Sequence, residues 1–457
     1  MNIDPVIRPA DLKESVDRLF SLSAEKIQSL EKSWAPGSSS PVFTVAGRYT
    51  SRGWTEWTQG FQFGAPILQF DATGEKEFLK IGRDRTVELM ASHVTHTGVH
   101  DHGFNNVSTY GNLLRLMREG RIEANVWEQR FYEMALKCSG AVQAARWSNT
   151  SEGGYIYSFN GPHSLFVDTI RTIRALAVAH SLGHALLGEN DRNISLLDRL
   201  ILHARSTARF SVFYGDGRDI YDVRGRTVHE CVFNMDDGNY RCPSSQQGYS
   251  PFSTWTRGLA WAMCGFAEEL EYLDTVADAD LAPHGGRAEV VAWMQAAAEA
   301  ACDFYIDRGT ACDGIPYWDT GAPDLHKLGD WQARAADPYN DHEPVDSSAA
   351  AIAAQGLLRL GRYLKNDRYW QAGLTVARSL FTEPYLSTDS EHQGLILHSV
   401  YHRPNGWDAV PPGAKVPAGE SSMWGDYHAR ELALYLKRVI EGGKYLTFFG
   451  GETIGRA

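Results

Sequence analysis

The sequence predicts an all-α chain in which helical hairpins close into a ring. Three observations lead there. Helical periodicity recurs from one end to the other, giving about twelve segments. The links between segments alternate between short turns and long loops. The long loops are rich in Gly, Pro, Trp and His, so a closed ring would gather them at one end, where function usually sits. An open α-solenoid is the competing arrangement. It is disfavoured because no fixed sequence period is present and because polar-aromatic loops are so concentrated.

Taken in order, the predicted helices lie at 17–33, 59–72, 74–93, 103–118, 128–145, 164–187, 194–208, 254–275, 287–306, 346–364, 366–381 and 423–440. Residues 1–16 read as an N-terminal extension. "DATGE" (71–75) and "KND" (365–367) are short links. The stretches 146–163, 209–253, 309–345 and 384–422 are long loops. Within them, "DGRDIYDVRGRTVHECVFN" has the β-branched and aromatic content of short strands. "SLFVDTIRTIRALAVAHSLGHALL" follows Pro162, with Ser164 placed to cap it. "VDSSAAAIAAQGLLRLGRYL" begins with Asp346 and two serines and carries no charge until Arg359. A helix that apolar all round is expected to be buried on more than one side. No composition break marks a boundary, so 1–457 reads as a single domain.

The chain has 457 residues, 43% hydrophobic and 11% aromatic, which is ample for a large core. Lys and Arg total 44 against 56 Asp and Glu, for a net charge of −12. There is no long basic block, which argues against nucleic acid. An acidic ligand would need Arg, Lys or His gathered locally. The six cysteines form no CxxC pair, so neither a cysteine-rich zinc site nor a disulfide framework is expected. No signal peptide and no membrane-spanning stretch is read, and a cytoplasmic location is the expectation.

Aromatic clusters beside polar groups recur: "GWTEWTQGF" (53–61), "QQGYSPFSTWTRGLAW" (246–261), "GIPYWDTG" (314–321) and "SSMWGDY" (421–427). Sugar rings present apolar C–H faces ringed by hydroxyls, and such platforms match them. Singly, aromatics at helix ends are core anchors; four clusters together weigh towards sugar. The stretch "HVTHTGVHDHGF" puts His93, His96 and His100 at i, i+3 and i+7, which suggests a metal. Gly98 interrupts that face, however, and no HExxH occurs, with "VHECV" (His229-Glu230) standing alone. No metal is therefore expected. Asp101 sits where a helix starts, and its default role is an N-cap. Asp168 sits among Phe166, Val167 and Ile170. Its default roles are to complement the helix dipole or to pair with Arg171. Partial desolvation there would instead raise its pKa, as suits a general acid.

"VHDHGF" (99–104), "SLFVDTIRTIRALAVAH" (164–180), "SQQGYSPFSTWTRGLAWAMCGF" (245–266), "PYWD" (316–319), "DSSAAAIAAQGLLRL" (346–360) and "SSMWGDYHARELAL" (421–434) occur together in one order. In this the sequence resembles the unsaturated glucuronyl hydrolases, glycoside hydrolase family 88, from about Trp57 to Leu434. The resemblance implies an (α/α)6 barrel, in agreement with twelve helices. It implies removal of the 4,5-unsaturated uronic acid that a polysaccharide lyase leaves at a non-reducing end. The chemistry implied is hydration of the C4=C5 bond, so the spacing rule for paired glycosidase carboxylates does not apply. Asp168 matches the general acid/base, and Asp101 a second essential aspartate with His100 beside it. Gln247, Arg257 and Trp261 match pocket residues, with Arg257 suited to a substrate carboxylate. His229 falls where the family has a site histidine, Trp57 fits an aromatic wall, and Ser421 and Ser422 lie where relatives contact the leaving-side sugar. No cofactor is implied. The implied partner is a small acidic oligosaccharide, and the chain is expected as a monomer or homodimer.

There are departures from the family pattern. Leu259 replaces a polar residue, Val345 stands where Arg is expected, and His102 is additional. A further site tryptophan has only Trp147 as a candidate, and 209–245 is richer in Arg and Asp. These bear on substrate identity more than on reaction type. Three other readings stay open. They are the related rhamnogalacturonyl hydrolases (family 105), a sugar epimerase or isomerase on the same barrel, and a non-catalytic glycan binder.

Overall fold

The structure, a computed structural model, describes residues 1–35, 39–52 and 56–449. Residues 53–55, which open the first aromatic cluster, and 450–457 lie outside the described residues. Among the described residues, twelve long helical elements form two concentric rings. The chain alternates between them. The outer helices are α1 (Lys13–Ser33), α3 (Lys76–Leu89), α5 (Val126–Ala145), α7 (Leu196–Ser206), α9 (Arg287–Phe304) and α11 (Asp367–Leu380). The inner ones are α2 (Gln59–Thr73), α4, α6, α8 (Thr256–Leu273), α10 (Ser347–Leu364) and α12 (Met423–Glu441). Helix α4 opens as π-helix, Gly103–Gly111, and continues as Asn112–Arg118. Helix α6 consists of Thr169–Thr172 and Arg174–Ser181. Each inner helix packs on the next, and α12 packs back on α2, which closes the ring. The expected (α/α)6 barrel is thus what the helices form.

Sequence composition separates the rings. Outer α1 buries Val16, Leu19, Phe20 and Ile27, one stripe at helical spacing. Inner α10 is buried on every side from Ser347 to Gly361. Its start is fixed by the Asp346 carboxylate, which accepts the backbone N–H groups of Ser348 and Ala349. Its small residues allow close approach: a Cβ on Gly356 would meet Met263 C of α8 at 2.7 Å. Charges on the inner helices are buried in pairs such as Arg171 with Glu431 at 3.1 Å and Arg359 with Glu271 at 2.6 Å, whereas Glu269 of α8 is buried with neither carboxylate oxygen hydrogen-bonded, and burial pushes it well above the ordinary carboxyl range.

Every link from an inner helix to the next outer one is the shorter kind. The α2–α3 link ends α2 at Gly74, in the left-handed region at φ 78°. The links from outer to inner helices are longer, apart from the intermediate α3–α4 link, and all of these meet the N-terminal ends of the inner helices. One end of the barrel therefore collects the polar-aromatic loops. A three-stranded antiparallel sheet lies there, in the order Ser164–Phe166, Glu230–Phe233, Tyr240–Ser244.

Three boundaries differ from expectation. Helix α6, expected to reach 187, ends at Ser181, and Leu186–Leu187 form a strand. Helix α1 begins at Lys13, inside the stretch read as an extension, and Leu12 before it is buried. Ser164 does not cap a helix. It begins a strand, and α6 starts only at Thr169. All six cysteines are free. Among the described residues no helix is long and apolar enough to cross a membrane.

Candidate active site

Asp168 owes its place to a change of structure. Strand Ser164–Phe166 pairs with Glu230–Phe233, and Val167 N–H donates to His229 O at 2.9 Å. The chain then turns into α6, and Asp168 occupies the N-cap position, yet its carboxylate makes no capping bond. Asp101 lies in the turn before α4. Its carbonyl oxygen accepts Phe104 N–H and Asn105 N–H, at 2.9 and 3.0 Å, while His102 holds the N-cap position. Neither carboxylate is spent on helix capping.

The two turns are locked together. A Cβ on Gly103 would meet Thr172 O of α6 at 2.1 Å, so only glycine lets the backbones approach this closely. Thr172 Oγ1 and Gln143 Nε2 both donate to His100 O, at 2.7 and 2.8 Å. The result is a buried trio. His100 Nε2 lies 3.6 Å from Asp168 Oδ2 and 3.8 Å from Asp101 Oδ1. Both ring nitrogens of His100 and Oδ1 of Asp168 are buried without a hydrogen-bond partner in the protein. Buried polar atoms are nearly always paired, which sets these apart from the rest of the core.

The trio divides its charge unevenly. Burial pushes Asp101 up, and the His100 charge only partly offsets it. Burial also acts on Asp168, but His100, helped by His229, outweighs it and holds this carboxyl below the ordinary range. Burial depresses His100, and the two aspartates more than reverse that, so its pKa is raised. The desolvation-raised pKa expected for Asp168 is therefore corrected: it is Asp101 that goes up, because the imidazolium pairs with Asp168.

Trp57, Phe104 and Trp261 line the pocket above the core. Trp57 stacks on Trp424 at 4.9 Å, and Phe104 meets Trp261 at 4.7 Å. Gln247 and Arg257 line it as well. Arg257, however, has both terminal nitrogens engaged. Its Nη1 donates to Asp346 Oδ2 at 3.0 Å and to Val400 O. Its Nη2 donates to Gln247 Oε1 at 3.0 Å and Tyr401 O at 2.9 Å. The guanidinium lies between Trp255 and Trp424, at 4.8 and 4.9 Å. The expected bidentate grip on a substrate carboxylate does not fit a fork already committed to the protein.

Other expected residues stand outside the pocket lining. His229 is buried behind it against Phe166, and its Nδ1 accepts the backbone N–H groups of Gln246 and Gln247, at 2.9 and 3.3 Å. Burial lowers its pKa to about 4. Ser421 Oγ donates to Ile396 O, and Ser422 caps α12 by accepting Gly425 N–H. Both are fully buried structural serines. Trp147 is covered by Arg199 at 3.8 Å. Leu259 and Val345 are core residues. His93 Nε2 bonds Gln59 Oε1 at 2.7 Å, and His102 bonds Ser139 Oγ and His96 O. The triple-histidine arrangement does not form. Among the described residues, the group whose donor atoms could hold a metal is His100, Asp101 and Asp168, all within 4.8 Å of one another.

The sequence reading missed Phe159, Gln246, Tyr401, His402 and Trp407, all of which line the pocket. Gln246 adjoins Gln247 and was within reach. "YHRPNGW" (401–407) lies in a loop noted as long and aromatic. Its fold depends on Asp408, whose carboxylate accepts Tyr401 N–H at 2.5 Å and His402 N–H at 3.1 Å.

Fold and site together define an α/α toroid with an acid–imidazole cluster under aromatic walls. No family model matches the chain. It is 24% identical over 390 residues to an unsaturated glucuronyl hydrolase of Formosa agariphila, covering 84% of this chain and 81% of that one. It is 25% identical over 415 residues to an unsaturated glucuronyl hydrolase of Bacillus sp. strain GL1, covering 88% and 91%. Among solved structures it superposes on an unsaturated glucuronyl hydrolase specific for heparin, with TM-score 0.71 and 18% identity, covering 94% and 98%. The resemblance seen in the motifs thus extends over most of the chain, and the fold is shared.

Proposed function

We propose that this chain is an unsaturated glucuronyl hydrolase. It removes a 4,5-unsaturated uronic acid from the non-reducing end of short oligosaccharides by hydrating the C4=C5 bond. The observation that carries the reading is the meeting of Asp101 and Asp168 across His100 beneath aromatic walls. In the mechanism, Asp168 is the acid that protonates C4. Positive charge develops at C5 beside the ring oxygen, water adds at C5 as the Asp168 carboxylate takes up its proton, and the hemiketal opens to release the next sugar. Without substrate, His100 holds Asp168 ionised. An arriving uronate brings negative charge and excludes water. The negative charge raises both pKa values, while loss of water raises that of Asp168 and lowers that of His100, and it is this loss that moves the proton from His100 onto Asp168. Asp101, whose carboxyl burial pushes above the ordinary range, hydrogen-bonds a sugar hydroxyl. Trp57, Phe104 and Trp261 receive the apolar ring face.

The proposal includes family 88 membership and action in the cytoplasm on lyase products. The test is loss of the ultraviolet absorbance of the conjugated double bond across a panel of unsaturated uronyl disaccharides, with Asp168→Asn as control. Loss of roughly 10²–10⁴-fold in the variant, with its fold unchanged, is expected of a general acid. A variant retaining a tenth or more of the activity would remove Asp168 from that role. No absorbance loss with any member of the panel would overturn the function itself.

A further inference from the structure

The pocket loop that carries Gln246 and Gln247 is gripped from two sides. On one side His229 Nδ1 accepts the N–H groups of both glutamines. On the other, the buried Asp319 accepts Tyr249 N–H on Oδ2 and Gly321 N–H on Oδ1, each at 2.8 Å. Gly248 lies against this carboxylate so closely that a Cβ there would meet Asp319 Oδ2 at 2.9 Å and Ser245 Oγ at 2.7 Å. The segment around Asp319 is itself fixed to the start of α8. Trp255 bridges Asp319, and Thr256 Oγ1 donates to Tyr317 O at 2.7 Å. Arg257, next along, then holds Gln247 by its side-chain oxygen.

We propose that Asp319 is a positioning residue for substrate binding: its carboxylate clamps the 245–249 loop so that Gln246 and Gln247 face the pocket. It stands outside the pocket lining and acts only through the loop, so it governs affinity and leaves the proton-transfer trio alone. This rests on the hydrolase reading above.

The clamp is also sensitive to pH. Burial, with the Glu343 charge adding to it, pushes Asp319 up to about 6, against the pull of Ser253, Gly321 and Tyr249. Glu343 is itself tied down, accepting Trp318 Nε1–H and Asp324 N–H, each at 2.8 Å. Below that pH, Asp319 takes a proton and its charge-assisted bonds weaken. The effect on overall stability has the opposite sign. An acid whose folded pKa is raised makes the fold less stable as pH rises from 3.8 towards about 6. Acidification therefore loosens the loop while relieving the cost of the buried charge, and a merely structural carboxylate would not separate these two readouts.

Asp319→Asn keeps the size but replaces one acceptor with an NH2 that faces an N–H donor. The expected result is a KM higher by about tenfold or more with kcat changed by less than about threefold. Its KM should also lose the rise that wild type shows as pH falls through about 6. Independently of substrate, hydrogen-exchange protection at Tyr249 should fall in the variant, and in wild type below that pH. Unchanged Tyr249 protection overturns the clamp. Raised exchange with unchanged KM overturns its role in positioning. If Asp319→Asn does not fold, the wild-type pH dependence of Tyr249 protection decides the matter. If wild type turns over no unsaturated uronide, the hydrolase reading fails while the exchange result still decides the clamp.

Discussion

His100 Nε2 faces Asp168 Oδ2 at 3.6 Å, and each residue shifts the other's proton affinity in the opposite direction. The folded pKa of His100 is raised above 6.5, so its pairing stabilises the protein fully below that value and is lost as pH rises through the folded pKa. Asp168 is held below 3.8. Its contribution is present above that value and is lost as pH falls through the lower folded pKa. The pH profile of kcat/KM, which reports groups of the free enzyme, should therefore fall on an alkaline limb above 6.5 as the imidazolium loses its proton. His100→Asn is expected to abolish that limb. A limb that survives the substitution would assign it to another group.

Gly103 sets the separation of the two aspartates. Gly103→Ala places a methyl where Thr172 O now sits, so the α4 turn must retreat from α6. Overpacking of this kind costs roughly 1–3 kcal/mol. Because Asp101 and Asp168 would move apart, kcat should fall by more than the stability loss explains. A variant that melts lower but turns over normally would show that their spacing is not critical.

Arg257 is a keystone rather than a ligand arm. Arg257→Met would leave Asp346 fully buried and without its partner. Breaking a buried pair in this way costs roughly 3–5 kcal/mol, measurable by denaturant unfolding. Adding Asp346→Asn should recover part of the loss, since the two sites are coupled. Arg257→Lys should also fail, because one ammonium cannot reach four acceptors spread over Gln247, Asp346, Val400 and Tyr401. A fully stable Arg257→Met protein defective only in KM would return Arg257 to direct contact with substrate.

His100, Asp101 and Asp168 could also ligate an ion, and the hydration mechanism needs none. Activity is expected to withstand dialysis against a chelator without change. Loss of activity, with recovery on adding one divalent cation, would recast the trio as ligands.

The helices were legible because their apolar positions recur at a helical period, and the misplaced start of α6 shows the limit of that signal. In "SLFVDTI" the unbroken apolar stretch, Leu165, Phe166 and Val167, is too short for periodicity to assign to strand or helix. Ser164–Phe166 form a strand only because Glu230–Phe233, far along the chain, supplies a partner. The site was legible where function depends on residue type and failed where it depends on partners. Asp101, Asp168, His100, Trp57 and Trp261, picked out by type and motif, are brought together in one pocket. Arg257 looked free because Val400 and Tyr401 come from a distant loop. Ser421 and Ser422 sit in a matching motif but are consumed by a carbonyl and a helix cap. Tyr401, His402 and Trp407 carry no local sign that their loop folds over the pocket.

The stacking of Trp57 on Trp424 joins the turn that leads into the first inner helix to the start of the last one. A residue of the pocket wall, Trp57, is therefore backed by one from the opposite end of the chain, across the seam where the ring closes. Contacts of such long sequence separation form late, after the loop entropy between them has been overcome. During synthesis, α2 through α10 can pack as a growing arc, but the arc exposes the inner faces of α2 and α10 until α12 arrives. A nascent chain lacking its last helix would thus display the aromatic wall as sticky surface rather than as a pocket.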